Sequence, residues 1–150
     1  MDLLDIALDH IHLVSRNPVK AATWYEENLG CRLVKQVEVG GAPQIYLSIG
    51  RESLLIIRGA RSGESVSDDL QEKRWGAEHF GFRITSDFDR LCVTLKERGV
   101  RFLMEPKDIN TATRVAFIEG PDGMEIELLQ RREWPHLKNL GADPSAALRP

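Results

Sequence analysis

One stretch of this chain occurs twice. Residues 9–30, "DHIHLVSRNPVKAATWYEENLG", lie without a gap over residues 78–99, "EHFGFRITSDFDRLCVTLKERG". Glu78 falls under Asp9, His79 under His10, Ser86 under Asn17 and Gly99 under Gly30. In each copy a short apolar run, a capping residue, a helical stretch and a terminal glycine follow at one spacing, so the chain is expected to fold as two like units. At 150 residues, neither half could bury enough apolar surface alone, and the two should pack as one domain.

Each unit can be read further along the chain. Leu8 to Ser15 forms a strand, Asn17 caps a helix whose first residue is Pro18, and Gly30 ends it. Val19, Ala22, Tyr25 and Leu29 form its apolar stripe. In the second unit Ser86 and Asp89 make a capping-box-like start, and Phe88, Leu91, Cys92 and Leu95 give the i, i+3, i+4, i+7 face of an amphipathic helix. Three strand-like runs follow each helix: Arg32 to Val39, Gln44 to Ile49 and Ser53 to Arg58, then Val100 to Glu105, Arg114 to Ile118 and Met124 to Leu129. Each half thus reads βαβββ, an α+β chain with modules at about 6–58 and 78–130. The polar run from Gly59 to Ala77 is a linker long enough to lay a lid over a site. Residues 131–150, rich in proline, read as an irregular arm that could dock through Trp134 and Leu137, with His136 at the surface.

Composition narrows the partners. A net charge of −3 offers no basic footprint for nucleic acid or an anionic membrane, and no apolar run approaches the roughly 20 residues of a membrane span. The start, Met1-Asp2-Leu3-Leu4-Asp5, is acidic where a signal peptide is basic, so a cytoplasmic protein with a small-molecule partner is expected. Cys31 and Cys92 have neither metal nor redox spacing and read as reduced core residues.

Strand alternation sorts the polar side chains. His10 and His12 share a face opposite Ile11 and Leu13; His79, Gly81 and Arg83 oppose Phe80, Phe82 and Ile84; Glu125 and Glu127 oppose Met124, Ile126 and Leu128. With the helices on the apolar faces, His10, His12, His79, Arg83, Glu125 and Glu127 are expected to project into a common concave interior. Imidazoles and carboxylates are costly to desolvate without partners, and two His with one Glu are commonly satisfied by a divalent metal.

These residues resemble those of the vicinal oxygen chelate superfamily, which holds glyoxalase I, methylmalonyl-CoA epimerase, type I extradiol dioxygenases, and the fosfomycin and bleomycin resistance proteins. The resemblance covers roughly Ile6 to Gln130 and rests on "DHIHLV...WYEENLG", "EHFGFRI" and "FIEGPDGMEIELL", the last resembling the family ending aromatic-x-x-x-P-x-G-x-x-x-E. It implies an open, cupped half-barrel of mixed sheet, a homodimer, and one divalent ion (Fe, Mn, Co, Ni or Zn) held by His10, His79 and Glu127. The glyoxalase branch has a fourth ligand, a Glu on the last strand of the first half, where "SLLIIRG" supplies Ile56 or Ile57. The extradiol branch has a Tyr and a His where this chain has Phe117 and Asp108.

The implied chemistry is chelation of two adjacent substrate oxygens by a Lewis-acidic metal. A lyase or isomerase of the glyoxalase type is the leading expectation, with His12 or Glu125 moving a proton alpha to a carbonyl. His12 could otherwise be a wall of the pocket. Arg83 could clamp a substrate carboxylate or phosphate, or pair with Glu125, and Phe117 is expected to line the substrate site. An Fe(II) dioxygenase and a non-catalytic, antibiotic-binding protein are the alternatives. Whether His10 meets Glu127 within one chain or across two is left open by the long linker.

Overall fold

The computed structural model describes residues 8–51, 53–68 and 75–131. The expected arm, with Trp134, His136 and Leu137, and the start of the chain lie outside the described residues.

Helix α1, Pro18–Leu29, begins where the Asn17 side chain accepts from the Lys20 amide at 3.0 Å. It ends at Gly30, whose φ of 68° turns the chain into the left-handed conformation that glycine adopts without a Cβ clash. Helix α2, Phe88–Glu97, is capped by Asp87, one residue beyond the expected Ser86. Its carboxylate accepts from the Arg90 amide at 3.0 Å, and Asp89 adds a second negative charge at the positive helix end.

The strands form two four-stranded mixed sheets. In the first, β1 (His10–Val14), β2 (Arg32–Val39), β3 (Ala42–Ile49) and β4 (Ser53–Arg58) take the order β1-β4-β3-β2. In the second, β5 (Phe80–Arg83), β6 (Phe102–Asp108), β7 (Thr113–Glu119) and β8 (Glu125–Arg131) take the order β5-β8-β7-β6. The pairs β1/β4 and β5/β8 are parallel and the rest antiparallel, so the internal repeat is a repeat of topology. The sheets are open, not closed barrels, as the cupped α+β reading required.

One face of each sheet is covered. Ile45, Leu47, Leu55 and Ile57 pack with Ala21, Ala22 and Tyr25 of α1, and Ala116, Ile118, Ile126 and Leu128 pack with Phe88, Cys92 and Leu95 of α2. Both sets belong to one hydrophobic cluster, to which each fully buried aliphatic side chain contributes about 1.5–3 kcal/mol. Val19, expected on the buried stripe, is 49% exposed, and Ala21 takes its place in the core. Val100 is also core rather than strand: its amide still bonds the Leu95 carbonyl, so the chain joins its sheet only at Phe102.

The halves are pinned where β1 leaves its sheet. The Arg16 amide and guanidinium donate to Oδ1 of Asp122 at 3.1 and 3.2 Å. Asp122 sits in a single 3-10 turn, Pro121–Gly123, that packs on α1.

The first part of the linker is docked rather than free. Gly59 bonds the Pro43 carbonyl at 3.0 Å, Ser62 bonds the Gly40 carbonyl at 2.9 Å, and Arg58 holds Glu64 through Nη2 at 2.9 Å.

Candidate functional site

Among the described residues the opposite face of each sheet is open in part, with Ile56, Val115 and Leu129 on it buried, and the polar residues singled out by alternation lie on these faces. On the second sheet Gly81, Glu127 and Phe117 stand in one register row across β5, β8 and β7. His79 enters just before β5, and its Nε2 lies 3.5 Å from Oε2 of Glu127. The Phe117 ring meets the His79 ring edge-on at 5.0 Å. Glu125 joins them: with Glu78, His79, Leu103, Met104 and Phe117 it lines a hollow of about 300 Å³. Glu125 is therefore a wall of this hollow and not merely a charge at a strand end.

Two details shape this cluster. A Cβ on Gly81 would stand 3.2 Å from Oε2 of Glu127, so the glycine gives the carboxylate its room. Nδ1 of His79 is buried without a hydrogen bond; Oε2 of Glu78 lies 3.3 Å away, outside hydrogen-bonding alignment.

On the first sheet Nδ1 of His10 bonds Oδ2 of Asp9 at 2.6 Å, which orients the ring with Nε2 pointing away from Asp9. The His10 and His12 rings meet edge-on at 6.1 Å. Partial burial first, then the positive charges of Arg58, His10 and Arg61, push the His12 pKa below 6.5. That shift favours the neutral imidazole over the charged one.

The repeat also shows which of Ile56 and Ile57 corresponds to Glu127. His12 pairs in register with Ile56 as Gly81 pairs with Glu127, so Ile56 stands where Glu127 does. Ile57 lies in the core. His12 stands beside Ile56 in the first half, where Gly81 leaves space beside Glu127 in the second.

Within one chain the expected ligand trio is divided. His79 and Glu127 are together, whereas His10 belongs to the first sheet, and among the described residues no group of three or more His, Cys, Asp and Glu side chains could hold a metal ion. The chemistry of the pair, one imidazole nitrogen and one carboxylate oxygen, suits a divalent cation, but a facial triad or catalytic zinc site uses three such donors. The residues of a single chain therefore do not complete the group. Arg83 stands at the far end of β5, opposite Leu129, and does not line the hollow. Among the described residues it makes no ion pair, so the expected partnership with Glu125 is not formed.

Sequence reading passed over Asp9 and Glu78. The signal was present: the repeat aligns them, and each carboxylate lies beside Nδ1 of the histidine that follows it.

The family model of the Glyoxalase/Bleomycin resistance protein/Dioxygenase superfamily matches residues 7–128. Among solved structures, a glyoxalase family protein from Enterococcus faecalis is 18% identical, with a TM-score of 0.69 over 85% of this chain and 99% of that one. A glyoxylase/bleomycin resistance protein/dioxygenase domain from Frankia sp. EAN1pec is 19% identical, with a TM-score of 0.72 over 87% and 96%. A glyoxalase family protein from Bacillus cereus is 16% identical, with a TM-score of 0.73 over 87% and 98%. At such identities the structures speak for the fold alone, and no curated protein matches the chain. With the repeated topology, the paired histidine and glutamate and the family match spanning both modules, this chain belongs to the glyoxalase/bleomycin resistance protein/dioxygenase superfamily, the vicinal oxygen chelate proteins.

Proposed function

We propose that the protein is a divalent-metal-dependent lyase or isomerase of the glyoxalase type, working as a homodimer. In this reading His79 and Glu127 of one copy are joined by His10 of a second copy. The observation that carries the proposal is the 3.5 Å approach of His79 Nε2 to Glu127 Oε2 beside a hollow lined by Glu125 and Phe117.

Topology supports the shared site. Among the described residues β1 and β5 are edge strands of their sheets, each with one side of its backbone unpaired. Setting β1 of one copy beside β5 of another brings His10 and His12 alongside His79. The open faces also expose apolar residues suited to cover by a partner, among them Val37 and Val39 on β2 and Leu103 on β6.

A divalent cation held by His79 and Glu127 with His10 of the second copy would supply Lewis-acid chemistry that acidifies a C–H alpha to a carbonyl. The protein's own groups do the rest. Asp9 holds His10 with Nε2 facing outward, and the Phe117 edge fixes the His79 ring and keeps water from one side of the hollow. Glu125 takes the proton from carbon alpha to the carbonyl and returns it to the adjacent atom, so that the carboxylate is regenerated. His12, favoured in its neutral form, serves the same step from the opposite wall.

The test is incubation of metal-loaded protein with α-hydroxy carbonyl compounds in D2O. The expected result is deuterium at the carbon alpha to the carbonyl, lost in Glu125→Gln or His12→Gln. Oxygen uptake with catechols after anaerobic Fe(II) loading would replace this reading with a dioxygenase. Tight ligand binding without metal or exchange would replace it with a binding protein.

A further inference from the structure

The open face of the first sheet carries a second constellation. One residue from each strand forms a register row, His12, Ile56, Tyr46 and Lys35. At about 4.8 Å per strand, His12 and Tyr46 lie about 10 Å apart, with the apolar Ile56 as the floor between them.

Three donor-bearing side chains gather around Tyr46: Gln44, Lys35 and Arg61. Gln44, 7% exposed, donates from Nε2 to the Tyr46 hydroxyl oxygen at 2.6 Å, which leaves the phenolic proton to donate outward. Nζ of Lys35 lies 4.4 Å from the centre of the Tyr46 ring. The Arg61 guanidinium reaches Oε1 of Gln44 at 3.5 Å. Among the described residues neither Lys35 nor Arg61 is paired with a carboxylate. The nearby acid, Glu64, is already occupied by the Arg58 guanidinium and the Arg61 amide.

Arg61 is placed by construction. The β2–β3 turn uses Gly40 and Gly41, with φ of 61° and 78°, the left-handed pair that a two-residue hairpin turn requires. A Cβ on Gly40 would stand 3.0 Å from Cδ of Arg61, and one on Gly41 would stand 2.6 Å from Oγ of Ser62. The two glycines thus form a trough in which the linker lies, clamped by the Ser62 amide on the Gly40 carbonyl at 2.9 Å.

We propose that Lys35, Tyr46 and Arg61, bridged by Gln44, form an oxyanion subsite that takes the carboxylate or phosphate of the substrate. Resting on the reading of this face as part of a substrate site, the proposal gives the substrate three parts. An oxyanion lies at Tyr46, an apolar spacer crosses Ile56, and the reacting oxygens lie at the histidine end, about 10 Å away. Among the described residues, two cations in no ion pair and a hydroxyl proton meet here, while the one nearby carboxylate, Glu64, is held by Arg58, and such a set suits an anion.

The test is an NMR titration of the isotope-labelled full chain with inorganic phosphate and, separately, with acetate, at ionic strength held constant with chloride. The expected result is saturable shifts at the Gln44 side-chain amide and Arg61 Nε in at least one arm, and the responding arm identifies the oxyanion. Lys35→Gln and Arg61→Gln should each weaken binding about fivefold, the loss of one charge-assisted contact. The dispersion of their spectra reports that they are folded. His79→Ala should bind the anion as the parent does while losing metal, so that this subsite and the metal reading fail separately. Shifts that grow linearly in both arms, or saturable binding unchanged in both variants, would overturn the proposal.

Discussion

Gly81 faces Glu127 across the parallel pair β5/β8, and a methyl group on Gly81 would come within 3.2 Å of the glutamate oxygen Oε2. The carboxylate reaches His79 because this position has no side chain. Gly81→Ala should therefore push Glu127 away from His79 while leaving the fold intact. The expected effect is metal affinity weakened about tenfold, the low end of what second-layer disturbances cost, measured by Co(II) titration.

Tyr25 is 1% exposed, and its hydroxyl has no hydrogen-bond partner among the described residues; burial raises its pKa well above 10. An unsatisfied buried hydroxyl is a cost that phenylalanine removes without changing the ring. Tyr25→Phe should leave stability unchanged or raise it by up to about 1 kcal/mol in urea unfolding.

Glu64 predicts a pH dependence. Its hydrogen bonds to Arg58 and the Arg61 amide hold its carboxyl at about 2, below the ordinary 4.5. A depressed carboxyl pKa contributes stability fully above the unfolded value, and that contribution is lost as pH falls from 4.5 toward 2. The protection of the Ser62 amide, its exchange rate divided into the intrinsic rate at each pH, should fall across that window as pH is lowered. Glu64→Gln should abolish that fall in protection.

Both cysteines are reduced and buried, and burial lifts the Cys31 thiol to about 11 and the Cys92 thiol in the same direction. Since the thiolate is the reactive form, neither should react appreciably with a thiol reagent at pH 8 in native protein. Both should react in urea.

How much of this was legible in the sequence varied with the physics involved. Alternation placed His10, His12, His79, Glu125 and Glu127 on open faces, because a strand flanked by a helix has only one face to bury. The repeat found the topology and carried Asp9 and Glu78 in plain view, although their part appears only when Nδ1 of each histidine is located. Val19 misled because helical spacing fixes an angle and not which neighbour fills it. Lys35, Tyr46, Gln44 and Arg61 were invisible as a group, since their meeting depends on the register of β2, β3 and β4 and on how the linker seats in the Gly40-Gly41 trough. The division of His10 from His79 and Glu127 is likewise a matter of how the sheets are placed, which local pattern does not encode.

The central claim, a metal site completed between two copies, is tested most directly by metal content in mixed variants. Wild-type protein should hold about one divalent ion per chain, and His10→Ala and His79→Ala should each hold none. After the two variants are mixed and their copies exchanged, each mixed dimer keeps one intact site, and binding should return to about one quarter of the wild-type amount. A wild-type protein that binds no divalent ion, or variants whose mixture recovers nothing although the parent binds, would contradict it.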